Sequence, residues 1–261
     1  MRPLIAFFVF IYLSGSSHGH FHIFIPEKAS YQKDEIVTLN FKFGHPFECE
    51  LQDALKPDKV FVISPKGKKT EITETFKPIK EKIGTNEITT FQGNFEPNER
   101  GDYIVIALSQ PIYLPSEKIY IQDTVKVVIH IQTQNNWDTG PNTEFELLPL
   151  SRPYGLLPGM VSRFQVVVQG NQITMPEKGW RFEIEKWNAN PPKVLPPEEL
   201  ITFTAKADTN GIVLFSIPDF GWWSITTESK EVAFIKEEKK SVIKKRSTFW
   251  FFVDQPKVKA P

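Results

Sequence analysis

Three histidines alternate near the start of the chain, at His18, His20 and His22. They follow the layout of a secretory signal peptide, with Arg2, an apolar run over residues 4–13 and small residues over 14–17. Signal removal would therefore leave imidazoles at or near a new amino terminus. A free α-amine, two backbone amides and a third-position imidazole can chelate one ion in a plane, which is a geometry that Ni(II) and Cu(II) favour.

Two cleavage positions have small residues at −1 and −3, one after Ser17 and one after Gly19. Each product carries histidine at its third position and no proline at the second or third. The apolar run of about ten residues is too short to span a bilayer, which needs about 20. The sequence therefore predicts a signal peptide over residues 1–19 and an exported protein, periplasmic or secreted, with no membrane span in the mature chain.

A second group of potential ligands follows a predicted strand over residues 36–43. His45, Glu48 and Cys49 lie close together in the segment Gly-His-Pro-Phe-Glu-Cys-Glu. Because Pro46 restricts the backbone of His45, that imidazole would lose little conformational entropy on becoming a ligand. Imidazole, thiolate and carboxylate can all complete a nickel or copper shell. The alternative is a solvated loop with ordinary charges, and the sequence leaves both open.

The remaining histidine, His130, lies in a predicted strand over residues 124–133. Period-two alternation places Lys126, His130 and Gln132 on the outward face of that strand. His130 is therefore a further candidate metal ligand, with a plain surface histidine as the alternative. Cys49 is the single cysteine, so the chain can form no intrachain disulfide.

Composition points to an all-β protein of two domains. The 261 residues include 21 prolines and many short Val, Ile, Phe and Thr runs, with no long amphipathic helical pattern. We predict two immunoglobulin-like antiparallel β-sandwich domains after the signal peptide, over residues 20–134 and 155–261, joined by a linker over 135–154. The 31 basic and 31 acidic residues balance, which gives no electrostatic reason to expect a nucleic-acid partner.

Several short segments, which follow one another in the same order along the chain, resemble those of a known family. They include Gly-His-Pro-Phe-Glu at 44–48, Gln-Asp-Thr-Val-Lys-Val-Val at 122–128, Arg-Pro-Tyr-Gly-Leu at 152–156 and Gly-Trp-Trp at 221–223, besides the histidine-rich run at 18–22. With these segments the chain resembles the NikM-like family, whose members are described as exported components of nickel and cobalt uptake systems.

The resemblance implies a function and a set of site residues. It implies that His20, His22 and His45 bind the metal, with Glu48 assisting, and that a membrane permease receives the ion. One departure stands at Cys49, where the family pattern is expected to continue with histidine; the thiol either replaces a ligand with a softer one or removes it.

Two functions from different classes remain. The first is an extracytoplasmic protein that captures Ni(II), or Co(II) or Cu(II), and passes it to a membrane uptake permease. The second is a structural or adhesive double sandwich that binds a protein or a glycan and whose histidines are incidental. The chain carries none of the usual hydrolase, phosphate-loop or dinucleotide motifs, so we expect it not to be an enzyme.

Overall fold

The computed structural model describes residues 20–115, 117–170, 173–236 and 239–255. The predicted signal peptide therefore lies outside the described residues. The prediction of an all-β fold is confirmed, since 54% of the described residues are strand and 3% are helix. The helical residues form two 3₁₀ turns, Thr73–Thr75 and Glu198–Leu200. No helix among the described residues has the length and apolarity needed to cross a bilayer.

The strands follow one another along the described chain with few long connections. In chain order they are β1 (Phe21–Pro26), β2 (Val37–His45), β3 (Glu50–Gln52), β4 (Lys59–Ile63), β5 (Lys69–Glu71), β6 (Lys77–Ile83), β7 (Asn86–Phe95), β8 (Gly101–Leu108), β9 (Ile112–Leu114), β10 (Ile119–Ile131), β11 (Phe145–Pro149), β12 (Val161–Val168), β13 (Arg181–Lys186), β14 (Thr202–Lys206), β15 (Ile212–Ser216), β16 (Gly221–Glu228), β17 (Val232–Lys236) and β18 (Lys239–Val253).

These strands form three sheets. Sheet 1 has the order β1-β2-β7-β6, with β3 paired to β2. Sheet 2 has the order β14-β13-β16-β18-β10-β8-β4-β5, with β17 paired to β18 and β9 to β10. Sheet 3 has the order β11-β12-β15. Neighbouring strands are antiparallel except β10 and β18, which run parallel.

Sheet 2 lies between the other two sheets and contributes to two hydrophobic cores. On β8, Tyr103 and Val105 belong to the core shared with sheet 1, whereas Ile104 and Ile106 belong to the core shared with sheet 3. Because alternate side chains of a strand point to opposite faces, β8 is buried on both sides. The two sandwiches therefore share one central sheet.

The chain region predicted as a linker contains a strand. Within residues 135–154, β11 pairs with β12 and places Phe145 and Leu147 in the core shared with sheet 3. The parallel pairing of β10 with β18 also carries sheet 2 across both predicted domains. The predicted linker over residues 135–154 is therefore part of the core shared with sheet 3.

The prediction that Lys126 lies on an outward, solvent-facing side of β10 is wrong. That side chain is 2% exposed and its Nζ lies 3.3 Å from Oε1 of Glu146, which is also buried. The physical reason is that the strand β11, which carries Glu146, covers this face. Alternation identified the two faces correctly, but both of them pack against protein.

Candidate functional site

The register of β1 and β2 brings two of the predicted ligands together. Phe21 lies opposite Gly44 in this antiparallel pair, so the preceding residue, His20, lies opposite His45. The centroids of the two imidazole rings are 4.1 Å apart, with the ring planes inclined at 56°. Cross-strand neighbours on one face lie within side-chain reach of each other, which makes this pair a candidate for holding one ion.

The environment of His20 keeps its imidazole uncharged. Its side chain is half-buried, and the Gln52 amide on β3 donates a hydrogen bond to its Nε2 at 3.0 Å. Burial, then the neighbouring His45 and then Arg246, lower the pKa of His20 to about 4. A neutral imidazole is the form that binds metal ions, so little proton competition is expected at this side chain near neutral pH.

His22 is two residues further along the same strand face but is engaged by other partners. It is 1% exposed, and its Nδ1 lies 2.5 Å from Oδ2 of Asp123. Its ring packs against Phe41 and Phe43, with centroid distances of 4.9 and 4.8 Å. Its backbone carbonyl accepts a hydrogen bond from the Trp250 indole at 3.0 Å. His20 and His22 lie on the same face of the strand and both contact Phe43, but His22 is built into a buried network.

That network continues to a buried ion pair. Arg246 donates from Nε to Oδ1 of Asp123 at 2.6 Å and from its terminal nitrogen to Oδ2 at 2.7 Å. Burial acts to raise the pKa of Asp123, but Arg246, together with His22, holds it well below its usual range. Asp123 is therefore ionised in the folded protein. The network joins β1 to β10 and β18 at a point two residues from His20.

The turn that follows His45 is attached to the second half of the chain. The Phe47 N–H donates to Oε1 of Glu185 at 3.0 Å, and the Asn188 N–H donates to the Pro46 carbonyl at 3.1 Å. The Asn188 side-chain amide also donates to the Phe47 carbonyl at 3.4 Å. Residues from β13 and the segment just after it thus fix the backbone on which His45 is carried.

Gly44 is required for the close approach of β2 and β3. Its φ is +149°, and a Cβ added there would lie 2.3 Å from the Glu50 carbonyl oxygen. We expect Gly44→Ala to lower the free energy of unfolding by about 3 kcal/mol, because backbone must move to relieve the clash. Urea denaturation measures the loss. Gly67→Ala is the control, since Gly67 has φ of +80° but open space around its Cβ. Equal losses in the two variants would contradict the clash.

Glu48 faces the buried carboxyl group of Glu185. Oε2 of Glu48 is buried, and among the described residues it has no hydrogen-bond partner. Burial, and then the charge of Glu48, raise the pKa of Glu185 to about 8, although the Phe47 N–H acts to lower it. Glu185 therefore keeps its proton at neutral pH. The turn after His45 is joined to β13 by the Phe47 N–H, which donates to Glu185.

The raised pKa of Glu185 predicts a loss of stability in alkali. The folded protein holds this proton between pH 4.5 and about 8, whereas the unfolded chain has released it, so stability falls as the pH rises through this range. We expect Glu185→Gln to reduce the loss between pH 6 and pH 9 by about 2 kcal/mol. Urea denaturation at both pH values measures it. Glu177→Gln, at an exposed carboxylate, should leave the loss unchanged.

Cys49 and His130 lie in different surroundings from the imidazole pair. Cys49 is buried with φ of +55°, and burial raises the pKa of its thiol, which disfavours the thiolate that metals bind. His130 places Nδ1 2.7 Å from Oδ1 of Asp102 and stacks on Tyr154 with ring centroids 4.2 Å apart. Within the described ranges, no group of three His, Cys, Asp or Glu side chains is arranged to hold a metal ion. The structure thus assembles His20 with His45 and places the other predicted ligands, His22, Glu48, Cys49 and His130, in other surroundings.

Comparison with known proteins identifies a family but no relative of described function. A family model described as a domain of unknown function, DUF4198, matches residues 17–231. No curated protein matches the chain.

Several solved structures are similar to this chain at low identity. Salmonella α-2-macroglobulin reacted with methylamine is 13% identical, covers 90% of this chain and 15% of its own, and has a TM-score of 0.25. Escherichia coli α-2-macroglobulin activated by porcine elastase is 11% identical, with coverage of 90% and 20% and a TM-score of 0.23. DIP-gamma IG1+IG2 is 10% identical, with coverage of 89% and 97% and a TM-score of 0.22. The chain spans a fifth or less of the two macroglobulins, and these similarities support no functional inference.

Proposed function

The chain belongs to the DUF4198 family, whose description assigns no function, and we propose that it captures Ni(II), or alternatively Co(II) or Cu(II), outside the cytoplasm. The observation that supports this proposal is the cross-strand pair of His20 and His45, with ring centroids 4.1 Å apart at the start of β1. The predicted mature amino terminus lies immediately before this pair. Amine and imidazole nitrogens are ligands that nickel and copper accept readily.

The contacts of His22 favour one of the two cleavage positions. Cleavage after Gly19 would make His22 the third residue, but its Nδ1 is already bonded to Asp123 in the buried network. Cleavage after Ser17 would make His20 the third residue and leave that network intact. We therefore propose that the α-amine of His18, the amides of Gly19 and His20 and the imidazole of His20 bind the ion, with His45 beside them.

The resemblance to the NikM-like family supports a membrane permease as the recipient of the ion. His20 and His45 are each only partly buried, so a partner can approach the pair from solvent. A site at an exposed strand end suits a carrier, because the ion must leave as well as bind. Sheet 2 and the Asp123–Arg246 ion pair would keep the imidazoles in position during the exchange.

A Ni(II) titration by calorimetry tests the proposal on protein that a secreting host has processed, with its terminus confirmed by mass. We expect one ion per chain for the processed protein and a loss of about 100-fold in affinity for His20→Ala, equivalent to about 2.7 kcal/mol. His130→Ala is the matched control, since it removes an imidazole that Asp102 engages elsewhere. No binding by correctly processed protein would contradict the proposal and favour the structural or adhesive alternative.

The contribution of His45 is expected to appear in thermal stability. A chelate made only from terminal residues exists equally in the unfolded chain and stabilises the fold very little. If His45 joins the shell, the ion binds the folded state preferentially, and a concentration of 100 times Kd adds about 2.7 kcal/mol. Calorimetric melting with and without Ni(II) measures this gain. We expect His45→Ala to remove most of it, and an undiminished gain would exclude His45 as a ligand.

A further inference from the structure

A cavity of about 280 Å³ lies at the end of β10, apart from the His20–His45 pair. Its lining residues include His130, Arg152, Tyr154 and Asp254, whose side chains carry an imidazole, a guanidinium, a phenol and a carboxylate. This volume is below the range of pockets for drug-sized ligands, so any occupant must be small. The metal hypothesis accounts for none of these groups.

His130 is oriented by a fully buried carboxylate. Asp102 is 0% exposed and accepts hydrogen bonds from His130 Nδ1 at 2.7 Å, from the Tyr154 hydroxyl at 2.9 Å and from the Asn135 N–H at 2.8 Å. With Nδ1–H directed at Asp102, the neutral ring keeps Nε2 as an acceptor. Because Nδ1 is directed at Asp102, Nε2 is the ring nitrogen left for a ligand in the cavity.

Arg152 is exposed, and two contacts with Tyr154 orient its guanidinium. Its guanidinium lies over the Tyr154 ring, 5.3 Å from the centroid, and its Nε donates to the Tyr154 carbonyl at 3.1 Å. A Cβ at Gly155 would lie 3.1 Å from the Arg152 terminal nitrogen, so glycine permits this close approach. The terminal nitrogens remain as a fork that can take a carboxylate.

Asp254 carries the opposite charge in the same cavity. Its backbone N–H donates to the Leu156 carbonyl at 2.7 Å, which fixes its position beside the strand end. Among the described residues, neither its carboxylate nor the Arg152 guanidinium forms an ion pair within 4.0 Å, with each other or with a third group. Two opposite charges that share a small cavity without pairing are complementary to a ligand that carries both charges.

We propose that this cavity binds a small zwitterion of the α-amino-acid class. The ligand's carboxylate binds the Arg152 guanidinium, and its ammonium group donates to the Asp254 carboxylate and to Nε2 of His130. The site is separate from the proposed metal site, so the loss of either one leaves the other intact.

Calorimetric titration of the processed protein tests the ligand class with three probes of similar size. L-alanine carries both charges, propionate only the carboxylate and ethylamine only the ammonium group. We expect saturable binding of L-alanine and at least about 10-fold weaker binding of the other two, because each loses one charged contact. A thermal-shift screen of the twenty standard amino acids extends the test to other side chains. No binding of any of them would overturn the proposal, as would equal binding of propionate.

Variants locate the site. Arg152→Gln and Asp254→Asn should each weaken binding of the best amino acid by about 10-fold or more, which is about 1.4 kcal/mol. Arg163→Gln is the matched control, since Arg163 is exposed on β12 and outside the cavity. Circular dichroism and an unchanged Ni(II) titration would show that each variant is folded. Binding that neither cavity variant weakens would exclude this cavity as the site.

Discussion

Asp123→Asn is expected to lower the free energy of unfolding by about 4 kcal/mol, because it leaves a buried guanidinium without its counter-charge. Arg246 is 9% exposed and directs two nitrogens at this carboxylate. Asparagine keeps the volume of the side chain, but it removes the negative charge and brings N–H groups towards those of Arg246. The amide also keeps one acceptor oxygen in place of two, so it cannot accept from His22 and from both Arg246 nitrogens with the geometry that the carboxylate provides.

Urea denaturation at pH 7 measures this loss. Asp34→Asn is a matched control, because Asp34 pairs with Lys33 at 3.0 Å on the surface, where such pairs contribute little. The double variant Asp123→Asn/Arg246→Met should recover part of the stability, since it removes both buried charges. A loss below about 1 kcal/mol for Asp123→Asn would contradict the account of this network.

The stability that Asp123 contributes to the fold decreases as the pH falls. Because the pKa of folded Asp123 is held below its unfolded value, its contribution is present above about pH 4 and is lost as the pH falls. His20 acts in the same direction at a higher pH, since the unfolded chain takes up its proton near 6.5 and the folded protein only near 4. Both groups therefore make the protein less stable in acid.

Local periodicity was enough to predict the faces of β1 but not the partners of its histidines. Period-two alternation places His20 and His22 on one face, and both contact Phe43 there. Which imidazole meets His45 and which meets Asp123 depends on the register of β1 with β2 and on packing against sheet 2. His20 and His45 lie on different strands, and His22 and Asp123 are 101 positions apart, so no local pattern carries these contacts.

The buried charges were the least predictable part of the fold. Residues 239–246 are rich in lysine, which is typical of a solvated strand, and β18 pairs with β17 there, yet Arg246 is buried. The difference arises because β18 continues into the middle of sheet 2, parallel to β10. The sequence of β8 did indicate that sheet 2 is covered on both faces. Residues 103–108 form a nearly continuous apolar run, which is typical of strands buried on both sides.

One added residue before the mature amino terminus is expected to weaken Ni(II) binding by about 1000-fold, equivalent to about 4.1 kcal/mol. The extension moves His20 from the third to the fourth position, so the amine, the two amides and the imidazole no longer close adjacent chelate rings. Calorimetric titration of the extended and processed proteins, each verified by mass, measures the loss. A residue added after Pro261 is the control. Unchanged affinity in the extended protein would show that the imidazoles bind without the terminus.

Combining the extension with His45→Ala separates a single site from two independent ones. If the terminus and His45 bind the same ion, the two changes are coupled and their effects on affinity do not add. If they bind separately, the extended protein keeps a weaker site that His45→Ala removes, and the losses add. The single-site account also requires the extension to abolish most of the Ni(II)-dependent stabilisation, because only an ion held by both the terminus and β2 distinguishes the folded chain from the unfolded one.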